Sequence, residues 1–325
     1  MKKSVRWWIC VLQVLLALGV MLSLPANGEP LEPSEEQLIA REKLGKVLSG
    51  ARLLWVNDHK IYHTMLDEWN PELVTKSDRQ EYRPRWSRDG AKILFQRGPD
   101  RVFMMDADFS NQQEVLRGAR TADWTGDGAG ITAIASDGYR VLHYRLADGE
   151  VSVLYDSRRP PYDGQTLAQS AVLHPSGRYL LSFRREPSHA SFIVDLVKKQ
   201  YLANQQMLRG DCKPAWSPDG KFLLTTARTS NRPILRASFD KESGDLGTSE
   251  VLVRMDKGLR YYMHDAQVST NGQWLLFGGK VLLGASMLGR REIYIWRFAS
   301  DIDDIIRLTF DTNDDDTPSL YVPSE

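Results

Sequence analysis

The sequence predicts an all-β fold: a six-bladed β-propeller of four-stranded antiparallel blades, closed by the C-terminal strand and preceded by a short helix. Three observations carry this expectation. A turn motif, most fully written as KPAWSPDGKFLLTT (Lys213–Thr226), recurs through the chain. Each recurrence is followed by short strand-like runs rather than a helical period. The two ends of the chain each hold part of one further unit.

The other copies are RPRWSRDGAKILFQ from Arg83, TADWTGDGAGITAI from Thr121, SAVLHPSGRYLLSF from Ser170 and DAQVSTNGQWLLFG from Asp265. The position of the first Trp falls at Trp86, Trp124, Leu173, Trp216 and Val268, with gaps of 38, 49, 43 and 52 residues. Self-similarity at such a period marks a stacked or radial repeat. In the fullest copy Pro presets φ for the reversal and Gly takes the positive φ that follows. The Trp fills the space between neighbouring blades. These residues are read as structural, and none of them is a catalytic candidate.

After the first turn come runs at Lys92–Gln96, Arg101–Asp106 and Gln112–Leu116. The later copies continue with RVLHYRL and VSVLYD, SFIVDL and KQYLA, PILRASF and TSEVLV, then EIYIWRF and DIIRLTF. Each unit is thus a four-stranded meander, which cannot bury both faces alone but can do so as a blade around an axis. Before the first copy stand ARLLWV (Ala51–Val56), KIYHTM and ELVT. At the far end TNDDDTPSLYVP (Thr312–Pro323) matches the first strand of a unit, with Pro318 and Leu320 at the Pro and Trp positions. The terminal strand therefore completes the first blade and leaves no open edge.

Ahead of the propeller, PSEEQLIAREKLGKVLSG predicts a helix. Ser34 and Gln37 form a capping box, and Ala40, Leu44, Val47 and Leu48 share one face. That face either packs on the propeller or docks a partner. Residues 1–28 read as a secretory signal: a basic MKKSVR, an apolar run from Trp7 to Leu24, and small residues at Ala26 and Gly28. The run is also long enough to span a bilayer, so retention as an anchor stays open. The division is a signal over 1–28, a helical leader over 29–50 and the propeller over 51–325. The rest of the chain is expected to be exported to the periplasm, and any membrane contact to run through an uncleaved signal.

Lys plus Arg and Asp plus Glu are both 42. Without a basic excess, a nucleic-acid partner is not expected. Beyond residue 28 the single Cys is Cys212, so no internal disulfide can form and core burial must hold the domain.

The pattern P-x-W-S-P-D-G, then strand, strand and a closing Arg307-Leu308-Thr309, resembles the TolB-type propeller repeats over about Ala51 to Val322. The resemblance implies a periplasmic six-bladed propeller that binds a protein of the cell envelope, as TolB-type propellers bind a peptidoglycan-associated lipoprotein. The substantial α/β domain that precedes those propellers is not expected here, since only Glu29 to Gly50 lies between the expected signal and the first strand.

Loop length is unequal between the two ends of the meanders. The motif copies give short turns at one end. The other end carries YDSRRPPYDGQTLAQ (Tyr155–Gln169), RMDKGLRYYMHD (Arg254–Asp265) and GGKVLLGASMLGRR (Gly278–Arg291). Long loops in a compact fold are more often functional than connective. On that face the candidate binding residues are Arg158, Arg159, Tyr162, Arg184, Arg185, His189, Arg228, Tyr261, Tyr262, His264 and Asp265, with Asp314, Asp315 and Asp316 beside the axis. Arg and Tyr combine large contact area with a directional polar end. The apolar KVLLGASMLG either folds back onto a blade or presents an anchor. The function expected is a binding or scaffolding module for a protein, peptide or other envelope component, with no catalytic residue and no cofactor. The alternative is a metal-dependent polysaccharide lyase or hydrolase, with a transition metal on His59, His189 and His264 or Ca²⁺ on the acidic run.

Overall fold

In a computed structural model of the protein, the described residues are 32–184, 190–202, 212–226, 233–253, 260–283, 286–301, 304–311 and 313–323. The side chains of 169, 184, 212–213, 260–264, 281–283 and 286–289 lie outside this description. The described strands form six four-stranded sheets.

Blade 1 contains β1 (Arg52–Asn57), β2 (Lys60–Met65) and β3 (Glu72–Leu73). Blade 2 is β4 (Glu81–Trp86), β5 (Lys92–Arg97), β6 (Arg101–Asp106) and β7 (Gln113–Arg117). Blade 3 is β8 (Ala119–Trp124), β9 (Gly130–Ala135), β10 (Arg140–Arg145) and β11 (Val151–Asp156). Blade 4 is β12 (Leu167–Leu173), β13 (Tyr179–Arg184), β14 (Ala190–Asp195) and β15 (Gln200–Tyr201). Blade 5 is β16 (Cys212–Trp216), β17 (Phe222–Thr226), β18 (Ile234–Phe239) and β19 (Leu246–Val253). Blade 6 is β20 (Arg260–Val268), β21 (Trp274–Leu283), β22 (Ser286–Arg297) and β23 (Ile306–Arg307). The last strand, β24 (Asp315–Tyr321), returns to blade 1 and pairs antiparallel with β1, Leu53 opposite Leu320 and Asn57 opposite Asp315. The ring closes as the two chain ends predict.

The turn copies hold their shape by a repeated side-chain bond. Ser87 Oγ donates to Asp89 Oδ1 (2.6 Å), Thr125 Oγ1 to Asp127 Oδ1 (2.6 Å), Ser217 Oγ to Asp219 Oδ1 (2.7 Å) and Ser269 Oγ to Asn271 Oδ1 (2.7 Å). In blade 4, His174 takes the Ser position; its Nδ1 lies 2.8 Å from Ser176 Oγ and its Nε2 3.0 Å from Gly220 O of the next blade. The Trp residues also join blades. Trp124 Nε1 donates to Arg85 O (3.0 Å) and Trp216 Nε1 to Val172 O (3.3 Å).

The core is a series of apolar layers between consecutive sheets. The layer at the closure seam takes Leu53 and Trp55 from blade 1, Leu276, Ile293 and Ile295 from blade 6, and Leu44 and Leu48 from the leader. The leader helix α1 (Glu35–Val47) starts on the predicted capping box: Gln37 N donates to Ser34 Oγ (3.2 Å) and Ser34 N to Gln37 Oε1 (3.0 Å). Its packed face differs from the expectation in one place. Val47 is exposed, and Gly45 is buried instead. The helix approaches blade 1 so closely that a β-carbon on Gly45 would collide with the Leu66 carbonyl, a constraint that apolar spacing does not reveal.

A second difference concerns the apolar stretch KVLLGASMLG. It is not an unpaired loop: β21 and β22 extend through it as paired strands, with Val281 opposite Leu288 and Leu283 opposite Ser286. Arg260–His264 pairs alongside it, opposite Leu282–Gly278. The β-forming residues of RYYMH find a partner edge there.

Candidate functional site: the two mouths of an axial channel

Every innermost strand carries the same irregularity. Pairing slips between Tyr82 and Arg85, Arg120 and Asp123, Leu167 and Ala171, Cys212 and Ala215, and His264 and Gln267. In blade 1 the slip falls opposite Leu54 and Val56. These are β-bulges, which bend a strand and re-aim its side chains. Three residues before the Trp position, φ is positive at Arg83 (52°), Thr121 (53°), Asp265 (56°) and Thr317 (48°). For a β-branched Thr this is a strained conformation, of the kind that clusters at functional surfaces.

The bulges arrange the channel wall. Residues one before the Trp position, Arg85, Asp123, Val172, Ala215, Gln267 and Ser319, come one from each blade and line a single axial cavity of ≈ 140 Å³ at the mouth bearing the turn copies. Above them, Arg83 sits in the field of Asp265, Asp316 and Asp123. Burial pushes the Arg83 guanidinium below its ordinary value and the Asp123 carboxyl above its own. Arg85 Nε stands 3.9 Å from Asp123 Oδ2.

The opposite mouth carries the long connections, because strand direction alternates through each meander. Here a cavity of ≈ 360 Å³ is lined by Asp58, His59, Tyr82, Arg290, Arg291, Asp314 and Asp316 among others. Arg291 spans two carboxylates: Nη2 lies 3.1 Å from Asp314 Oδ2 and Nη1 2.5 Å from Asp316 Oδ2. Lys280 Nζ adds 3.3 Å to Asp314 Oδ1. Burial opposes ionisation of Asp314, but the Arg291 amide and guanidinium and Lys280 prevail and hold its carboxyl below the usual range. Asp315, the next residue along the strand, bonds elsewhere. It is buried and accepts from Asn57 Nδ2 (2.9 Å), and burial beside Asp311 pushes it up to about 7. Glu292, bonded to Arg307 Nη2 (2.6 Å) and Thr309 Oγ1 (2.8 Å), is raised by burial to about 8 despite that arginine.

The candidate residues read from sequence are distributed as follows. Arg158 is held to its own blade by Asp156 (3.1 Å) and Asp137 (3.4 Å), whereas Arg159 projects with 77% of its side chain exposed. Tyr162 is half-buried, 4.6 Å from Tyr155 and 5.7 Å from Tyr201 between ring centres. Asp265 is buried at the blade 6 bulge, and Asp316 takes Arg291. Arg185, His189 and Arg228 lie outside the described residues, as do the side chains of Arg184, Tyr261, Tyr262 and His264. Among the described residues no three His, Cys, Asp or Glu side chains converge in a way that could hold a metal ion. Sequence reading missed Arg83, Arg85, Asp123, Lys280, Arg290 and Arg291. For the first three the signal was present, since charges occupy fixed positions of the repeat that blade geometry turns toward the axis.

Fold and channel define the chain as a closed six-bladed propeller with two chemically different mouths. Solved structures of the same architecture include TolB from Acinetobacter baumannii, 16% identical, covering 87% of this chain and 71% of that one with a TM-score of 0.56. TolB from Agrobacterium tumefaciens is 15% identical over 80% of this chain and 88% of its own, TM-score 0.54. An oligogalacturonate lyase from Vibrio parahaemolyticus is 12% identical over 80% and 72%, TM-score 0.50. No protein-family model and no curated protein matches the sequence. Among the described residues no helix is long and apolar enough to cross a membrane.

Proposed function

We propose that this protein is an exported, TolB-like binding module that captures a protein or peptide of the cell envelope at the long-loop mouth of its propeller. The observation that carries the reading is the charged rim there. Arg291, Lys280, Asp314 and Asp316 form a fixed network around a ≈ 360 Å³ cavity, with Arg290 exposed beside it and Arg159 projecting from the same face. Paired charges at a rim set partner orientation and encounter rate, and exposed Arg supplies contact area. The likeness to TolB supports the architecture, and the basic, apolar N-terminal run supports export.

Site-specific photo-crosslinking in intact cells tests this. A crosslinking residue at Arg290 or Arg159 is expected to trap a discrete envelope protein, and Arg290→Glu with Arg159→Glu to cut the yield of the remaining rim positions at least fivefold. Equal trapping from Val151, on an outer strand, would remove the assignment. Metal analysis of the purified chain addresses the metal-dependent alternative: a stoichiometric ion lost in His189→Ala and His264→Ala would move the site toward catalysis.

A further inference from the structure

The opposite mouth holds a second cavity. Its volume, ≈ 140 Å³, is roughly ten times the space one water needs. Most of its wall is apolar: Val172, Leu173, Trp216, Val268 and Leu320. The rest is neutral and polar at Thr125, Ser217, Gln267, Thr270 and Ser319, and charged at Arg85, Arg88 and Asp123. Arg85 is 7% exposed; its Nη1 donates to Pro84 O (2.9 Å), while its Nε has no hydrogen-bond partner and lies 3.9 Å from Asp123, too far for a bond. A buried guanidinium N–H left unused costs more than an exposed one, and a ligand that satisfies it recovers that cost. Six-fold order puts Ala215 of blade 5, a small residue, across the axis from Arg85 of blade 2. Arg88 stands exposed at the entrance.

From these features we infer that the turn-face mouth binds a carboxylate carried next to a small branched apolar group, the carboxylate meeting Arg85 and the branched group filling the space between Val172, Ala215 and Val268. The unused group is a cationic donor, so the ligand brings an anionic acceptor. Besides Arg88 at the entrance, the further charged residue lining the cavity is Asp123. That residue takes the Trp124 amide (2.9 Å) and competes with the ligand for Arg85. Two sources have this chemistry: the C-terminus of a peptide ending in a residue such as valine, and a free short branched acid.

Calorimetry on the full purified chain separates them. The probes are N-acetyl-Ala-Ala-Val with a free carboxylate, the same peptide as its amide, and isovalerate. The free acid is expected to bind at least tenfold more tightly than the amide, with Arg85→Gln lowering its affinity by about tenfold or more. Asp123→Asn removes the competing anion and is expected to tighten binding several-fold, the opposite of what a cationic ligand would show. Ala215→Leu fills the bore and abolishes binding through a residue unrelated to charge, with circular dichroism confirming that each variant is folded. Binding of isovalerate with the same Arg85 and Ala215 dependence assigns the free acid; binding of the peptide alone assigns a chain terminus. Equal affinity for acid and amide, survival of binding in Ala215→Leu, or no heat from either acid overturns the site. The rim variants at Arg290 and Arg159 are expected to leave this binding unchanged, so the two mouths fail independently.

Discussion

A threonine at positive φ places its branched β-carbon against its own backbone. Thr121 does this in the channel wall at 53°, and its Oγ1 is buried without a hydrogen-bond partner. Left-handed backbone costs an ordinary residue about 1–2 kcal/mol, and glycine avoids most of it. Thr121→Gly is therefore expected to raise stability by about 1 kcal/mol after the greater freedom of glycine in the unfolded chain is deducted. Thr132 is the control. It lies outside the left-handed region, fully buried, with its hydroxyl donating to Ala171 O (2.8 Å), so Thr132→Gly loses stability. Urea denaturation of both variants decides the point: if Thr121→Gly falls as far as Thr132→Gly, the bulge holds no strain. At the same scale, Arg85 and Asp123 show how a loose buried pair differs from a tight one. Arg178 and Asp195, at 2.7 Å, complete each other, whereas the 3.9 Å separation leaves donor capacity for something else.

At the scale of the element, the turn copies differ in how much they touch. Gly177 and Gly220 occupy the same place in consecutive blades, with φ of 73° and 72°. An Ala at either pays the same left-handed penalty. At Gly177 a β-carbon meets nothing within 4 Å, whereas at Gly220 it would collide with the His174 ring. Gly220→Ala should thus cost about 1–3 kcal/mol more than Gly177→Ala, since the ring is already fixed by Ser176 and by the Gly220 carbonyl. Equal losses in thermal or urea melts would show that the blade contact yields freely. The turns were legible in the sequence because their logic is local: a hydroxyl, a carboxylate two residues on and a glycine after it. The blade 6 hairpin was not, since an apolar run interrupted by Gly284 reads as a loop until a neighbouring edge pairs with it. Nor was the buried face of the leader helix, where close approach at Gly45 outweighed the apolar residue at Val47. The channel charges fell between the two. Arg83, Arg85 and Asp123 stand in visible repeat positions, yet their convergence follows from bulges that need a partner strand to exist.

For the whole molecule the decisive contact is the one no turn enforces. β24 reaches β1 across nearly the full length of the chain and is fixed from three sides. It pairs with β1, its Leu320 carbonyl accepts from Thr270 N of blade 6 (3.1 Å), and Ser319 Oγ accepts from Trp86 N of blade 2 (3.1 Å). Leu320 and Leu173 hold the same repeat position and are both buried, so either Leu→Ala change should cost about 2–5 kcal/mol. Their consequences for dynamics differ. The strand of Leu173 continues through its turn into β13 and can separate only as part of its blade, whereas no turn joins β24 to β1 and pairing alone ties it to blade 1. Leu320→Ala is expected to let β24 open as a unit below the global unfolding limit, with amides of β24 and β1 exchanging with solvent faster than those of β13. Leu173→Ala should lower the protection of all blades together. Native-state hydrogen exchange reads both patterns, and uniform protection in Leu320→Ala would mean that the seam is held as firmly as the covalent connections. The leader helix is part of that answer: Leu44 and Leu48 enter the seam layer together with Leu320, so the helix braces the joint it precedes.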